Sequence, residues 1–204
     1  YLLVSTNLAC LSSDYVRCVA FKPDNPNIVV SGSYDKTIKT WDITSGSCLS
    51  TLRGEKPIHC VAFSPDGSLI AAGDGYSDTS GEVRIYNAST GDPVGSPLRG
   101  HSERINSVAF SPDGQFIASC SGEGWNRDNS VRVWNVETGE QLCQLNVDSS
   151  VASVHWSPCG TKIAAACNDY NTDIYCVKIL NSETGALLCA LRGHRYAPSL
   201  SKEC

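Results

Sequence analysis

The segment Ile105-Asn-Ser-Val-Ala-Phe110, which is followed by the turn Ser111-Pro-Asp-Gly114, recurs along the chain in four related copies. The other three copies begin at Val16, Ile58 and Val151, so successive copies are 42, 47 and 46 residues apart. In each copy an apolar run ends in a turn that contains proline, and proline and Asp-Gly favour the backbone conformations of tight turns. Self-similarity at this period predicts a repeat architecture.

Three further strand-like runs follow in each copy. In the third copy they are Phe116-Ile-Ala-Ser119, Ser130-Val-Arg-Val-Trp-Asn135 and Gln141–Leu145, and the middle run alternates with the period of a strand. The fourth run is predicted over Val94–Leu98 in the second copy and over Leu187–Leu191 in the last. One four-stranded sheet cannot bury both of its faces, so neighbouring sheets must stack against it. Radial stacking of such sheets gives an all-β propeller.

The composition excludes several classes of protein. The 204 residues include 41% apolar and 18% charged residues, and 16 Lys+Arg against 21 Asp+Glu give a net charge of −5. The chain therefore lacks the basic surface that binding to nucleic acid or to an anionic membrane requires. The longest wholly apolar run, Ala186–Leu191, is far shorter than the roughly 20 residues of a membrane span. We predict neither nucleic acid nor a membrane as a partner.

The cysteines indicate a reducing compartment. Their number, eleven, is odd, no C-x-x-C pair is present, and most of them lie within apolar runs. Cysteine in such positions behaves as a small buried hydrophobic residue. The sequence therefore predicts free thiols, no metal site and a cytoplasmic location, with the nucleus as the other reducing compartment.

The repeat resembles the WD-repeat (WD40) family over nearly the whole chain. The name-giving dipeptide is present as Trp41-Asp42 and, in weaker form, as Trp134-Asn135, and Gly100-His101 and Gly193-His194 match the Gly-His that opens a family repeat. The resemblance implies a WD40-type β-propeller of four four-stranded antiparallel blades plus a partial blade, an open arc of a larger ring of about seven blades. The chain would then be a fragment, and self-association is expected if the ring is incomplete.

The resemblance also implies repeat boundaries. They are residues 1–12 for the end of a partial blade, 13–52, 53–98, 99–145 and 146–191 for repeats one to four, and 192–204 for the start of a further divergent repeat or a truncated tail.

Family resemblance further implies a hydrogen-bonded His–Ser/Thr–Asp–Trp network inside each intact blade. The same residue types could form a hydrolase triad, but their recurrence at one repeat position beside tryptophan favours a structural role. No phosphate-binding, dinucleotide or zinc-protease motif is present, so we predict no catalytic residue and no cofactor. The third repeat has the whole network, which consists of His101, Ser119, Asp128 and Trp134. The first repeat lacks the histidine and has Ser31, Asp35 and Trp41.

Each repeat has one aromatic residue in the predicted loop between its second and third strands. Tyrosine and tryptophan flanked by polar groups anchor protein interfaces, and loops on a rigid scaffold concentrate binding residues. We predict that these residues form an exposed arc that docks an extended basic peptide; the alternative is that each ring packs on its own loop or the adjacent blade. The candidate partner-binding residues are Tyr34, Tyr76, Trp125, Tyr170, Asp74, Asp78, Glu123, Arg127 and Asp169.

These observations favour a non-catalytic scaffold that docks protein or peptide partners on its loop face. The phrase Thr90–His101 also resembles repeats in the sensor half of NACHT-type signalling NTPases. The alternative function is therefore a C-terminal ligand-sensing regulatory domain of such an NTPase.

Overall fold

A computed structural model describes residues 14–76, 79–122, 128–147, 149–169 and 174–195. Within these ranges the regular structure is entirely β, which confirms the all-β prediction. Four antiparallel sheets of four strands follow one another along the chain, and within each sheet the strands are hydrogen-bonded in sequence order. We call these sheets blades 1 to 4.

The strand bounds are as follows. Blade 1 consists of β1 Val16–Lys22, β2 Asn25–Ser33, β3 Thr37–Asp42 and β4 Ser47–Arg53; blade 2 of β5 Ile58–Phe63, β6 Leu69–Asp74, β7 Glu82–Asn87 and β8 Leu98–Arg99; blade 3 of β9 Ile105–Phe110, β10 Phe116–Ser121, β11 Ser130–Asn135 and β12 Gln141–Asn146; blade 4 of β13 Ser150–Trp156, β14 Lys162–Asp169, β15 Ile174–Asn181 and β16 Leu187–Arg195.

The turn between the first two strands has the same construction in blades 2, 3 and 4. Gly67, Gly114 and Gly160 occupy its last position with φ of +70°, +74° and +73°. These are left-handed conformations that favour glycine. In blade 3 the Ser111 hydroxyl donates to the Asp113 carboxylate and accepts the Phe116 N–H at 2.9 Å. The turns that the sequence predicted are therefore closed by their own side chains.

Successive side chains of each strand point to opposite faces of the blade. We call the face toward the preceding blade the N-side face and the face toward the following blade the C-side face. Val61 and Phe63 on the N-side face of blade 2 pack in one cluster with Val30 and Ile38 of blade 1. The opposite face of blade 2 packs in the same way against blade 3, and blade 3 against blade 4. The apolar core is therefore a set of layers between blades.

The two end faces of this stack are open. Val19 and Phe21 on the N-side face of blade 1 are 65% and 63% exposed, and Leu191 of blade 4 is exposed as well. The described blades therefore form an open arc, as predicted. Among the described residues, no helix is long and apolar enough to cross a membrane.

Two outer strands differ from the sequence prediction. In blade 2 the run Val94–Leu98 is not a strand, and β8 is limited to Leu98–Arg99, with one isolated bridge between Tyr86 and Pro93. Pro93 and Pro97 have no N–H to donate, so this segment cannot form a continuous ladder. In blade 4, β16 extends beyond Leu191 to Arg195 because β15 begins at Ile174, which pairs with Arg195.

Candidate functional site

Blade 3 contains a continuous chain of buried hydrogen bonds. The Trp134 Nε1–H donates to Ser119 Oγ at 2.8 Å, and Ser119 Oγ is 2.8 Å from Nε2 of His101. His101 Nδ1 is 3.0 Å from the Asp128 carboxylate, which also accepts the Ser102 N–H at 2.6 Å. These contacts join the segment before β9 to β10 and β11, so they fix the inner strands of the blade to one another.

The environment of the imidazole decides its charge. Burial lowers the pKa of His101 below its ordinary value, although the Asp128 carboxylate acts in the opposite direction. Burial also opposes ionisation of Asp128, but hydrogen bonds from His101, Ser130 and Ser102 outweigh it and hold the pKa of Asp128 below its usual range. A neutral His101 that donates from Nδ1 to Asp128 has Nε2 free to accept the Ser119 O–H. Proton donation therefore runs in one direction, from Trp134 through Ser119 and His101 to Asp128.

The same geometry does not support a hydrolase reading. A catalytic serine must be reached by substrate, whereas the Ser119 side chain is fully buried and its oxygen already interacts with Trp134 and His101. These contacts therefore stabilise the blade.

Blade 1 has a shorter version of the chain. The Trp41 Nε1–H donates to Ser31 Oγ at 2.9 Å, and the Asp35 carboxylate accepts the N–H and the hydroxyl of Thr37 at 2.9 and 2.6 Å. Trp41 is only half-buried, because it lies on the open N-side face of the blade.

Blade 2 has a partly buried charge cluster at the corresponding place, which the sequence did not lead us to predict. Ala72 and Tyr86 stand where blade 3 has Ser119 and Trp134. Arg84 lies between three carboxylates, with Nη2 2.9 Å from Glu82 and 3.5 Å from Glu55, and Nε 3.5 Å from Asp74. The spacing Glu82-Val-Arg84, which places both side chains on one face of a strand, was the available signal.

The prediction that Asp74 contacts a partner is not compatible with its position in the structure. Its side chain is 1% exposed, and its carboxylate accepts the Glu82 N–H at 2.9 Å. Burial raises the pKa of Asp74, while the Glu82 N–H, Lys56 and Arg84 oppose the rise. Asp74 therefore belongs to the interior of blade 2 and cannot contact a partner in this structure.

The predicted aromatic arc is described in part. Tyr34 is half-buried: its ring makes edge contacts with His59 of blade 2, at a centroid distance of 4.9 Å, and with Tyr15 at 6.3 Å, and the Arg17 guanidinium lies 5.2 Å from the ring centroid. Tyr34 thus packs on the adjacent blade, which was the alternative to a partner contact. Tyr76 is 41% exposed. The remaining candidates lie outside the described residues or, for Asp169, have an undescribed side chain: Trp125, Tyr170, Asp78, Glu123, Arg127 and Asp169.

A groove of about 570 Å³ lies at the outer edge of blades 1 and 2. Leu52 and Arg53 of β4 line one side, and Tyr86, Pro93 and Pro97 line the other. It lies where the outer strand of blade 2 is interrupted. The sequence reasoning did not identify it, although Pro93 and Pro97 within a predicted strand were the signal.

The turn of blade 4 contains an unusual thiol. Cys159 occupies the position of Asp113 in blade 3, with Sγ 3.3 Å from Ser157 Oγ and 3.1 Å from Thr161 Oγ1. Hydrogen bonds from Ser157 and then Thr161 lower the pKa of Cys159 to about 6. The Cys159 sulfur therefore contacts the first residue of the turn as the Asp113 carboxylate does in blade 3.

Comparison with known proteins relates this architecture to a family. The family model "WD domain, G-beta repeat" matches residues 5–42, 46–87 and 91–135, which is more than half of the chain. A ribosome biogenesis protein YTM1 of Phaeosphaeria nodorum is 31% identical over 148 residues, 70% of this chain and 30% of that protein. The nuclear distribution protein nudF of Aspergillus flavus is 29% identical over 127 residues, 62% of this chain and 26% of that protein. A U3 small nucleolar RNA-associated protein 15 homolog of Danio rerio is 32% identical over 63 residues, 31% of this chain and 12% of that protein.

The chain spans under a third of the length of each of these relatives, so the likeness concerns the repeats that they share. The second matched segment runs from β4 through β7, and the third runs from β8 through β11. Each of these segments therefore contains the outer strand of one blade and the first three strands of the next blade. The chain therefore belongs to the WD40 family of repeat proteins.

Proposed function

We propose that this chain is a non-catalytic scaffold that docks protein or peptide partners on the loops of its blades. The observation that supports it is the sealed interior of blade 3, where the only triad-like residues on the described chain hold strands together. Because the hydrogen-bonded polar side chains of blade 3 lie in its interior, the loops and edges of the blades are the surfaces available for recognition. Membership of the WD40 family agrees with this role.

The partner-binding surface that we propose is the loop face around Tyr76, with Trp125 and Tyr170 of the neighbouring repeats. Tyr76 is exposed, and aromatic residues flanked by polar groups are typical anchors of interfaces. The net charge of −5 and the acidic residues Asp78 and Glu123 in these loops favour a basic, extended peptide. Tyr34 packs on His59 of blade 2 and Asp74 accepts the Glu82 N–H, so neither residue belongs to this surface.

The groove between blades 1 and 2 is the competing surface. Its lining combines Leu52, Pro93 and Pro97 with Arg53, whose positive charge favours an acidic rather than a basic segment. The charge of the peptide therefore distinguishes the two surfaces.

Fluorescence anisotropy with two labelled peptide libraries, one Lys/Arg-rich and one Asp/Glu-rich, tests the proposal. We expect basic peptides to bind, and Tyr76→Ala to weaken their binding roughly tenfold, equivalent to about 1.4 kcal/mol. Val94→Asp in the groove is the matched control and should leave this binding unchanged. Binding of acidic peptides that is lost in Val94→Asp and kept in Tyr76→Ala would transfer the site to the groove.

The wider process is also a proposal. The relatives' names refer to ribosome biogenesis, nuclear distribution and nucleolar RNA association, so a docking role within a large assembly is the function that we infer for this protein. These names do not support the cytoplasmic location that the thiols suggested, and a nuclear location is equally compatible with free cysteines. The comparisons give no support to the NACHT-type alternative.

A further inference from the structure

One position in every blade brings two side chains to face each other where the second strand ends and the third begins. In blade 4 the register places Cys167 directly opposite Cys176. Both cysteines are free thiols. In blades 1, 2 and 3 the equivalent pairs are polar, and they are Ser33 with Thr37, Asp74 with Glu82, and Ser121 with Ser130. Blade 4 therefore has two sulfur atoms where the other described blades have oxygens.

The backbone spacing at this position suits a disulfide. In blade 2 the Glu82 N–H donates to the Asp74 side chain and not across the ladder to the Asp74 carbonyl, so the position is a non-hydrogen-bonded pair. Facing Cα atoms in such a pair are about 4.5 Å apart, and their side chains are closer than in a hydrogen-bonded pair. A disulfide spans Cα separations of about 4.4–6.8 Å. Cys167 and Cys176 can therefore be linked without a large movement of either strand.

The two thiols are in contact and differ in exposure. Cys167 is 1% exposed, and the side chains of Ser149 and Cys176 form hydrogen bonds with its sulfur. Burial raises the pKa of Cys167 and Cys176 adds to the rise, whereas Lys178 and the Ser149 hydrogen bond oppose it. Cys176 is only half-buried. Because oxidation begins at an accessible sulfur, Cys176 is the thiol that meets a soluble oxidant first, and Cys167 is held beside it as the resolving thiol.

We propose that glutathione disulfide, or another low-molecular-weight disulfide, converts Cys167 and Cys176 into a reversible disulfide across blade 4. The Cys176 thiolate attacks one sulfur of glutathione disulfide, which forms a mixed disulfide and releases one glutathione thiolate. The Cys167 thiolate then attacks the Cys176 sulfur and releases the second glutathione thiolate. Two protein thiols thereby lose two electrons, one glutathione disulfide gains them, and the two glutathione thiolates take up the two protons that the cysteines released.

The cross-link would join two strands that the hydrogen-bond chain of blade 3 cannot join in blade 4. Ala165 and Leu180 stand in blade 4 where blade 3 has Ser119 and Trp134, and neither side chain can donate or accept a hydrogen bond. A disulfide between β14 and β15 closes a ring of residues 167–176 and removes conformations from the unfolded chain. Oxidation should therefore stabilise blade 4, and reduction should return it to its resting stability.

Mass spectrometry of the folded 204-residue chain tests the disulfide directly. The protein is equilibrated with glutathione and glutathione disulfide at varied ratios, quenched with acid, alkylated in denaturant and digested with trypsin. Cleavage after Lys162 and Lys178 releases one peptide that contains Cys167 and Cys176 and no other cysteine. In excess glutathione disulfide this peptide should be unalkylated and two hydrogens lighter than its reduced form, and excess glutathione should restore two alkylated cysteines. Two alkylated cysteines at every ratio, or glutathione retained on Cys176 as the end product, would overturn the proposal.

Urea denaturation gives a second measurement, with Cys176→Ser and Cys159→Ser as matched variants. The oxidised wild type, freed of glutathione and held at about pH 5 to slow thiol exchange, should have a higher urea midpoint than the reduced wild type. This difference should vanish in Cys176→Ser, which cannot form the pair. It should persist in Cys159→Ser, which removes the exposed thiol from the turn of the same blade. A difference that persists in Cys176→Ser, or that is lost in Cys159→Ser, would contradict the proposed pair.

Discussion

Replacing Ser119 by alanine should destabilise blade 3 more than its small loss of volume suggests. The hydroxyl accepts the Trp134 N–H at 2.8 Å and is 2.8 Å from His101 Nε2, and all three side chains are buried. Alanine leaves one donor and one acceptor without a partner, at a cost of about 1–3 kcal/mol for each group. We expect the free energy of unfolding to fall by about 2–6 kcal/mol, measured by urea denaturation followed by far-ultraviolet circular dichroism.

Ser31→Ala in blade 1 is the matched control. It removes the same hydroxyl from the same position, and the Trp41 N–H donates to it at 2.9 Å. Because Trp41 is half-buried on an open face, water can replace the lost acceptor, and the cost should be about 1 kcal/mol or less.

A double-mutant cycle separates hydrogen bonding from packing. In a Trp134→Phe background, which has no indole N–H, Ser119→Ala should cost about 1–3 kcal/mol less than in the wild type. Equal losses for Ser119→Ala and Ser31→Ala, or a loss for Ser119→Ala below about 1 kcal/mol, would refute the reasoning.

Three further predictions concern protection, pH and thiol chemistry. In native-state hydrogen exchange, the backbone amide hydrogens of Val131–Val133 should exchange more slowly than those of Val83–Ile85, because β7 pairs with β8 at only two residues. Equal exchange rates would contradict this. The free energy of unfolding should fall as the pH drops below about 6.5, because the pKa of His101 is lower in the folded state than in the unfolded state. The unfolded state therefore binds more protons in this pH range. The urea midpoint should decrease less steeply with falling pH in His101→Gln than in the wild type. The rate at which iodoacetamide alkylates Cys159, followed by mass spectrometry, should be half-maximal near pH 6. Thr161→Val should move this midpoint to higher pH. An unchanged midpoint would show that the Thr161 hydrogen bond does not lower the pKa of Cys159.

The strands and turns of this protein could be predicted because they depend on neighbouring residues. The alternation in Ser130–Asn135 and the turn at Ser111–Gly114 specify a strand and a hairpin whatever surrounds them. The interruption of the outer strand at Pro93 could not be predicted from the sequence, because a proline at a sheet edge is compatible with either a strand or its interruption.

The site was harder to predict, because exposure depends on residues distant in the sequence. Asp74 is the last residue of β6 and Tyr76 follows it by two positions, yet Asp74 lies buried beside Arg84 and Tyr76 is exposed. Tyr34 has its position fixed by His59 of the next blade, which no pattern local to Tyr34 reveals.

The sequence by itself determined the repeat, the strands of each blade except the outer strand of blade 2, and the residue types of the blade 3 network, because period, turn chemistry and residue identity are local properties. Only the tertiary structure decided which of these equivalent positions are covered. Val19 and Val61 belong to the same motif and the same face of their strands, but only Val61 has a sheet packed against it. Burial is a property of the pair of surfaces that meet, so the same side chain stabilises the core in blade 2 and remains available for another sheet in blade 1.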